Sequence, residues 1–147
     1  MRKLFGPALF LSSSFFLLTG YGVKHSEVKA QSSVKDKSVE LEFKIKLLNE
    51  GKKTDKEADQ KEVQISKEGP WTLELVNTQG LKLETKDGKF ISKTFDEKLP
   101  GFTVKAGLDG ATPSGKVDYM MRAFVCTTDK KTCYTERHTG SLEWKKN

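Results

Sequence analysis

The stretch FVCTTDKKTCYTER, residues 124–137, holds both cysteines of the chain, Cys126 and Cys133, with six residues between them. Three chemistries are open to such a pair: a structural staple, a redox-active pair, or part of a metal site. Zinc clips space their ligands two to four residues apart, so the spacing argues against zinc. A copper(I) site would recruit soft ligands from Met120 or Met121, both cysteines and His138. Strand alternation, however, turns Met121 away from Cys126. His138 reads as a surface strand residue and His25 as part of a polar lead-in, so the two histidines make no ligand set. The expectation is no metal and no cofactor.

Folding TTDKKT as the tip of a hairpin sets Cys126 opposite Cys133. Their Cα atoms would then lie about 4.5 Å apart, at the short end of the disulfide range. The ring closed this way is short, and the chain-entropy model gives it only about 2–3 kcal/mol. Lys130 and Lys131 in the loop would favour a thiolate if they turn toward it. The staple and the redox pair both stay open at this level. Other catalytic apparatus is missing. No Gly-x-Ser-x-Gly, His-Glu-x-x-His or phosphate-binding loop occurs, and a paired cysteine is no nucleophile for a protease.

The cysteines need strands to position them, and the pattern supplies strands. Val39, Leu41, Phe43, Ile45 and Leu47 alternate with Glu40, Glu42, Lys44 and Lys46, the period of an antiparallel strand with one buried face. Shorter runs follow around Val63–Ile65, Trp71–Leu75, Leu81–Leu83, Phe90-Ile91 and Phe102–Ala106. Gly69-Pro70, Asn77–Gly80, Asp87-Gly88 and Pro100-Gly101 punctuate them, and Asp-Gly is a strong hairpin signal. KVDYMMRAFVC is the longest late strand, with Val117, Tyr119, Met121, Ala123 and Val125 on one side and Cys126 on the other. A last strand runs from Cys133 into TGSLEW. The expected fold is all-β: one antiparallel, immunoglobulin-like β-sandwich of about eight strands over residues 39–147. A small barrel is the runner-up. Residues 49–61 carry eight charged side chains and read as a long solvated loop.

Ahead of that domain, Met1-Arg2-Lys3 is a basic start and Leu4–Leu18 an apolar run of 15 residues interrupted by Gly6, Pro7 and three serines. A membrane-spanning helix needs about 20 apolar residues, so residues 1–22 read as a signal peptide. A second cleavage site follows Ala30. Residues 23–38 read as a flexible lead-in. Cleavage leaves no stable membrane span, and the protein is expected in the periplasm or secreted. Loss of residues 1–30 lowers the net charge from +6 to +3, because Arg2, Lys3, Lys24 and Lys29 leave with Glu27. No basic cluster alternates with aromatics, so nucleic acid is not an expected partner. Outside the cytoplasm, two cysteines tend to pair.

The segment GATPSGKVDYMMRAFVCTTDKKTCYTERHTGSL resembles the N-terminal periplasmic immunoglobulin-like domain of the DsbD family of thiol:disulfide interchange proteins. The likeness covers roughly the C-terminal third: a glycine-containing loop, a long alternating strand, a cysteine, a polar hairpin, a Cys-Tyr pair and a final strand. It implies that Cys126 and Cys133 are a redox pair that passes electrons to a thioredoxin-like oxidoreductase. It also implies that Tyr134 holds the family's aromatic position, and that Phe95, Asp96 and Glu97 belong to a cap over the disulfide. Two functions are therefore expected from the sequence. One is a non-catalytic binding or structural module stapled by a hairpin disulfide. The other is a thiol–disulfide exchange partner, the only enzyme-like role in view.

Overall fold

The structure, a computed structural model, describes residues 24–48 and 63–147. The signal segment expected over 1–22 and the charged loop over 49–61 lie outside the described residues.

Among the described residues nine strands run in chain order: β1 (Ser26–Lys35), β2 (Ser38–Leu47), β3 (Val63–Ile65), β4 (Thr72–Val76), β5 (Leu81–Lys82), β6 (Phe90–Ser92), β7 (Gly101–Leu108), β8 (Ser114–Thr127) and β9 (Cys133–Lys145). They form two antiparallel sheets. One has the order β1-β2-β7-β5. In the other, β8 is central, with β9 along one edge and β3 and β4 end to end along the opposite edge. β6 extends that sheet beyond β4. β1-β2-β7 facing β9-β8-β4 is the A-B-E over G-F-C arrangement of an immunoglobulin-like sandwich. One detail differs: the strand that joins β7 precedes in sequence the strand that joins β4.

The alternating residues lie where their period puts them. Val39, Leu41, Phe43 and Ile45 of β2 are buried against Val117, Met121 and Ala123 of β8, with Leu73 and Leu75 of β4 and Phe102 and Val104 of β7. Tyr119 is half-buried and meets Phe43 edge-on. Asp87 and Gly88 both take positive φ, 53° and 75°, between the mutually bonded Lys86 and Lys89. That is the primed turn which Asp-Gly favours.

One expectation is corrected. Residues 26–35 are not a flexible lead-in but the ten-residue β1, paired with β2 along its whole length. Its inward positions are Ser26, Val28, Ala30, Ser32 and Val34, small side chains that read as polar linker. Its turn is Asp36-Lys37, with Asp36 at φ 51° and no glycine to announce it. Cleavage after Ala30 would cut this strand in half.

Candidate functional site

The β8–β9 ladder spans thirteen residue pairs, from Ser114 opposite Lys145 to Cys126 opposite Cys133. At its turn end the two cysteines are joined by a disulfide with Cα atoms 4.0 Å apart. Beyond them the Thr127 amide donates to the Thr132 carbonyl at 2.8 Å. Hydrogen-bonded and non-bonded pairs alternate along an antiparallel ladder, so the cysteines hold a close, non-bonded position. The tip is closed by its own side chains: the Thr127 hydroxyl bonds Asp129, and the Lys131 amide donates to Asp129 at 3.0 Å.

The two sulfur-bearing residues differ in exposure. Cys126 retains 6% of its surface, whereas Cys133 is exposed. Cys126 points to the outer face of its sheet, yet the chain leaving β3 covers it. Gln64 lies beside it in the ladder, and Ser66, Lys67 and Glu68 continue past it. Together with Lys130 these residues line a shallow groove of about 450 Å³ with both cysteines in its wall. Gly69 carries the same segment over Phe124; a Cβ there would stand 2.2 Å from the Phe124 ring.

The other residues singled out from the sequence are placed as follows. Phe95 stacks on Trp71 with ring centroids 4.2 Å apart and meets Phe102 edge-on, so it seals the core margin. Asp96 accepts from the amides of Lys98 and Leu99 and holds its own turn. Glu97 pairs with Lys67 at 3.0 Å, both side chains exposed. None of the three lines the disulfide groove. Glu97 reaches it only through Lys67, and the segment lying over Cys126 is the β3–β4 connection. Tyr134 is next to Cys133 but pairs with Val125 on the opposite face, where it stacks on His25 at 4.4 Å.

That inner face holds a polar cluster which the sequence reading missed. Glu136, His138, Leu142 and Trp144 of β9 all point between the sheets and are buried. His138 is thus a buried residue, 6% exposed, and not a surface one. β1 brings His25 and Ser26 to it. The His25 amide donates to Glu136 Oε1 at 2.6 Å, and His25 Nδ1 lies 3.1 Å from the same oxygen. The Ser26 hydroxyl donates to Glu136 Oε2. His138 Nε2 lies 3.0 Å from Ser26 Oγ and 3.4 Å from Glu136 Oε2. With the Ser26 proton committed to Glu136, Nε2 is the donor in both contacts. Burial pushes the Glu136 carboxyl up, but the hydrogen bonds from His138, Ser26 and His25 outweigh it and hold it at about 2. Ser26 is 1% exposed, so this is no nucleophile with its base. It is the clasp that ties β1, the edge of one sheet, to β9, the edge of the other. Ser32 Oγ, donating to the Glu143 carbonyl at 2.7 Å, is a second tie. The available signal was the inward register, which runs from Trp144 through Leu142 back to His138 and Glu136.

No cluster of three or more histidine, cysteine or acidic residues that could hold a metal ion occurs among the described residues. Met121 is fully buried in the core, on the face of β8 opposite to Cys126. No helix among the described residues is long and apolar enough to cross a membrane. What stands is a small β-sandwich carrying a C-terminal hairpin disulfide, one of whose cysteines is open to solvent. No protein-family model, curated protein or solved structure matches the chain.

Proposed function

We propose that the protein is exported and takes part in thiol–disulfide exchange through Cys126 and Cys133. The observation that carries this reading is the asymmetry of the pair: Cys133 is exposed at a groove while Cys126 is covered. Exchange needs one sulfur that an incoming thiolate can reach in line and a second that leaves. In the step proposed, a thiolate of a thioredoxin-like partner attacks Cys133 Sγ. The Cys126–Cys133 bond breaks, Cys126 leaves as a thiolate and takes up a proton, and a mixed disulfide joins the partner to Cys133. The partner's second thiolate then attacks its own sulfur in that bond and releases Cys133. The partner ends as a disulfide and this protein as a dithiol, with two electrons transferred. The reverse sequence oxidises the protein. Lys130 lines the groove, and an ammonium there favours the departing thiolate. The bond also joins strands that are already paired along their whole length, so the fold has little need of it. The likeness to the DsbD domain points the same way.

The second reading is a non-catalytic binding or structural module. Burial of Cys126 beneath the β3–β4 segment favours it, because reduction would then loosen packing. One experiment separates the two. Oxidised protein is mixed with reduced thioredoxin, quenched in acid and alkylated, and free thiols are counted by mass. Exchange predicts both redox forms of each protein at equilibrium. A staple predicts that this protein stays wholly oxidised, and that forced reduction costs it the fold.

A further inference from the structure

On the outer face of the β8 sheet, four residues along the ladder from the disulfide, Arg122 and Arg137 lie directly opposite each other. The separation is about 13 Å at the rise of a strand. Both are exposed. They share the ladder parity of the cysteines, so they too hold a close, non-bonded position where side chains touch most readily. Like charges at such a position repel, and a carboxylate between them would be the usual remedy. Among the described residues neither guanidinium has an ion pair.

The nearby carboxylates are bonded to other groups, although Asp118 and Glu74 share a pocket with Arg137. Asp118 accepts from Asn77 and Ser141, each at 2.5 Å. Glu74 pairs with Lys89 at 2.8 Å and Glu97 with Lys67 at 3.0 Å. The third strand of the arginine row contributes Thr72, a neutral residue. Toward the disulfide, Lys67 of the groove is offset by Glu97, and Lys130 stands against Glu68. The unpaired positive charge of this face is therefore concentrated at the arginine row, and two guanidiniums side by side offer the bidentate donors that carboxylates take.

We infer that Arg122 and Arg137 form a docking point for an acidic protein surface, on a partner whose reactive thiol lies about 13 Å from its carboxylates. The inference rests on the exchange reading for the identity of that thiol, but the arginine pair's preference for acid does not. Docking at this row places the partner's chain along β9, over the exposed Thr135 and beside the Gly69 segment that covers Phe124, with its sulfur at Cys133.

Two extended hexapeptides test this: Glu-Glu-Thr-Val-Thr-Ser and its counterpart beginning Lys-Lys. Each is titrated into the protein while Arg122 and Arg137 are followed by NMR. The glutamate peptide should shift both residues and bind about tenfold more weakly to the Arg122→Gln/Arg137→Gln protein. The lysine peptide should not shift them, and added salt should weaken the glutamate peptide. Equal binding of the glutamate peptide to both proteins, or shifts that avoid the arginine row, would overturn the docking site. Both residues are exposed, so a melting curve suffices to show that the variant is folded. Replacing the terminal serine by cysteine tests exchange separately. A peptide that docks at the arginines yet forms no mixed disulfide with Cys133 leaves the docking site standing and removes the exchange reading.

Discussion

Exposure separates the two cysteines more sharply than their shared bond suggests. With Cys126→Ser, the lone thiol at 133 is exposed; with Cys133→Ser, the lone thiol at 126 sits under the β3–β4 segment. Alkylation by iodoacetamide should therefore be at least about tenfold faster for Cys126→Ser, since thiol reactivity follows access and thiolate character. Equal rates would mean that the groove does not shield Cys126. Glu136 carries a second prediction at this scale. Its carboxyl is held at about 2 against an ordinary 4.5. A depressed carboxylate stabilises the fold fully above its unfolded value and loses that contribution as pH falls toward the folded value. The window is thus from about 4.5 down to about 2, and the amount on the order of 3 kcal/mol. Urea midpoints should fall steeply across that range in the natural protein and less steeply in Glu136→Gln. The cysteine pairing was legible in the sequence because alternation set the sulfurs opposite each other. The role of His138 was not, because Ser26 reaches it and its strand neighbour Glu136 only through the packing of β1 against β9, which no local pattern reveals.

Strands with large inward side chains announced themselves, and β1 did not. The period of two is present in Val28, Ala30 and Val34, but serines at 26 and 32 break the apolar face and dilute it. β1 holds through its ladder to β2 and its hydrogen bonds to β9 instead of through bulk. The Asp87-Gly88 turn was readable because glycine at positive φ has a local cause. Gly101 has a nonlocal one. It opens β7 opposite Lys44, and a Cβ there would meet the Phe43 carbonyl oxygen at 1.9 Å. That oxygen belongs to the core strand β2 and has no rotamer by which to withdraw. Gly101→Ala should cost more than about 2 kcal/mol, while Gly110→Ala, with nothing within 4 Å of its Cβ, should stay within about 0.5 kcal/mol. Paired thermal melts of the two variants check this, and equal losses would contradict the register of β2 and β7.

At the scale of the whole molecule, the sequence specified an antiparallel sandwich through its alternation and turn spacing, and the two sheets bear that out with nine strands among the described residues. The closure of the sandwich along its β1–β9 side was beyond sequence patterns, because it depends on buried hydrogen bonds between residues more than a hundred positions apart. This closure bears on function. β9 is fixed on its inner face by Glu136 and His138 and along its edge by β8, so opening the disulfide on its outer face should leave the sheet paired. A reversible bond on a frame that does not depend on it is the central claim. The reduction potential of Cys126–Cys133, measured by equilibrating the protein with graded thiol–disulfide buffers and counting thiols by mass, tests it most directly. The expected value lies above roughly −300 mV, within reach of thioredoxin-like proteins, with the fold retained in the reduced form. A potential below that level, or unfolding on reduction, would contradict it.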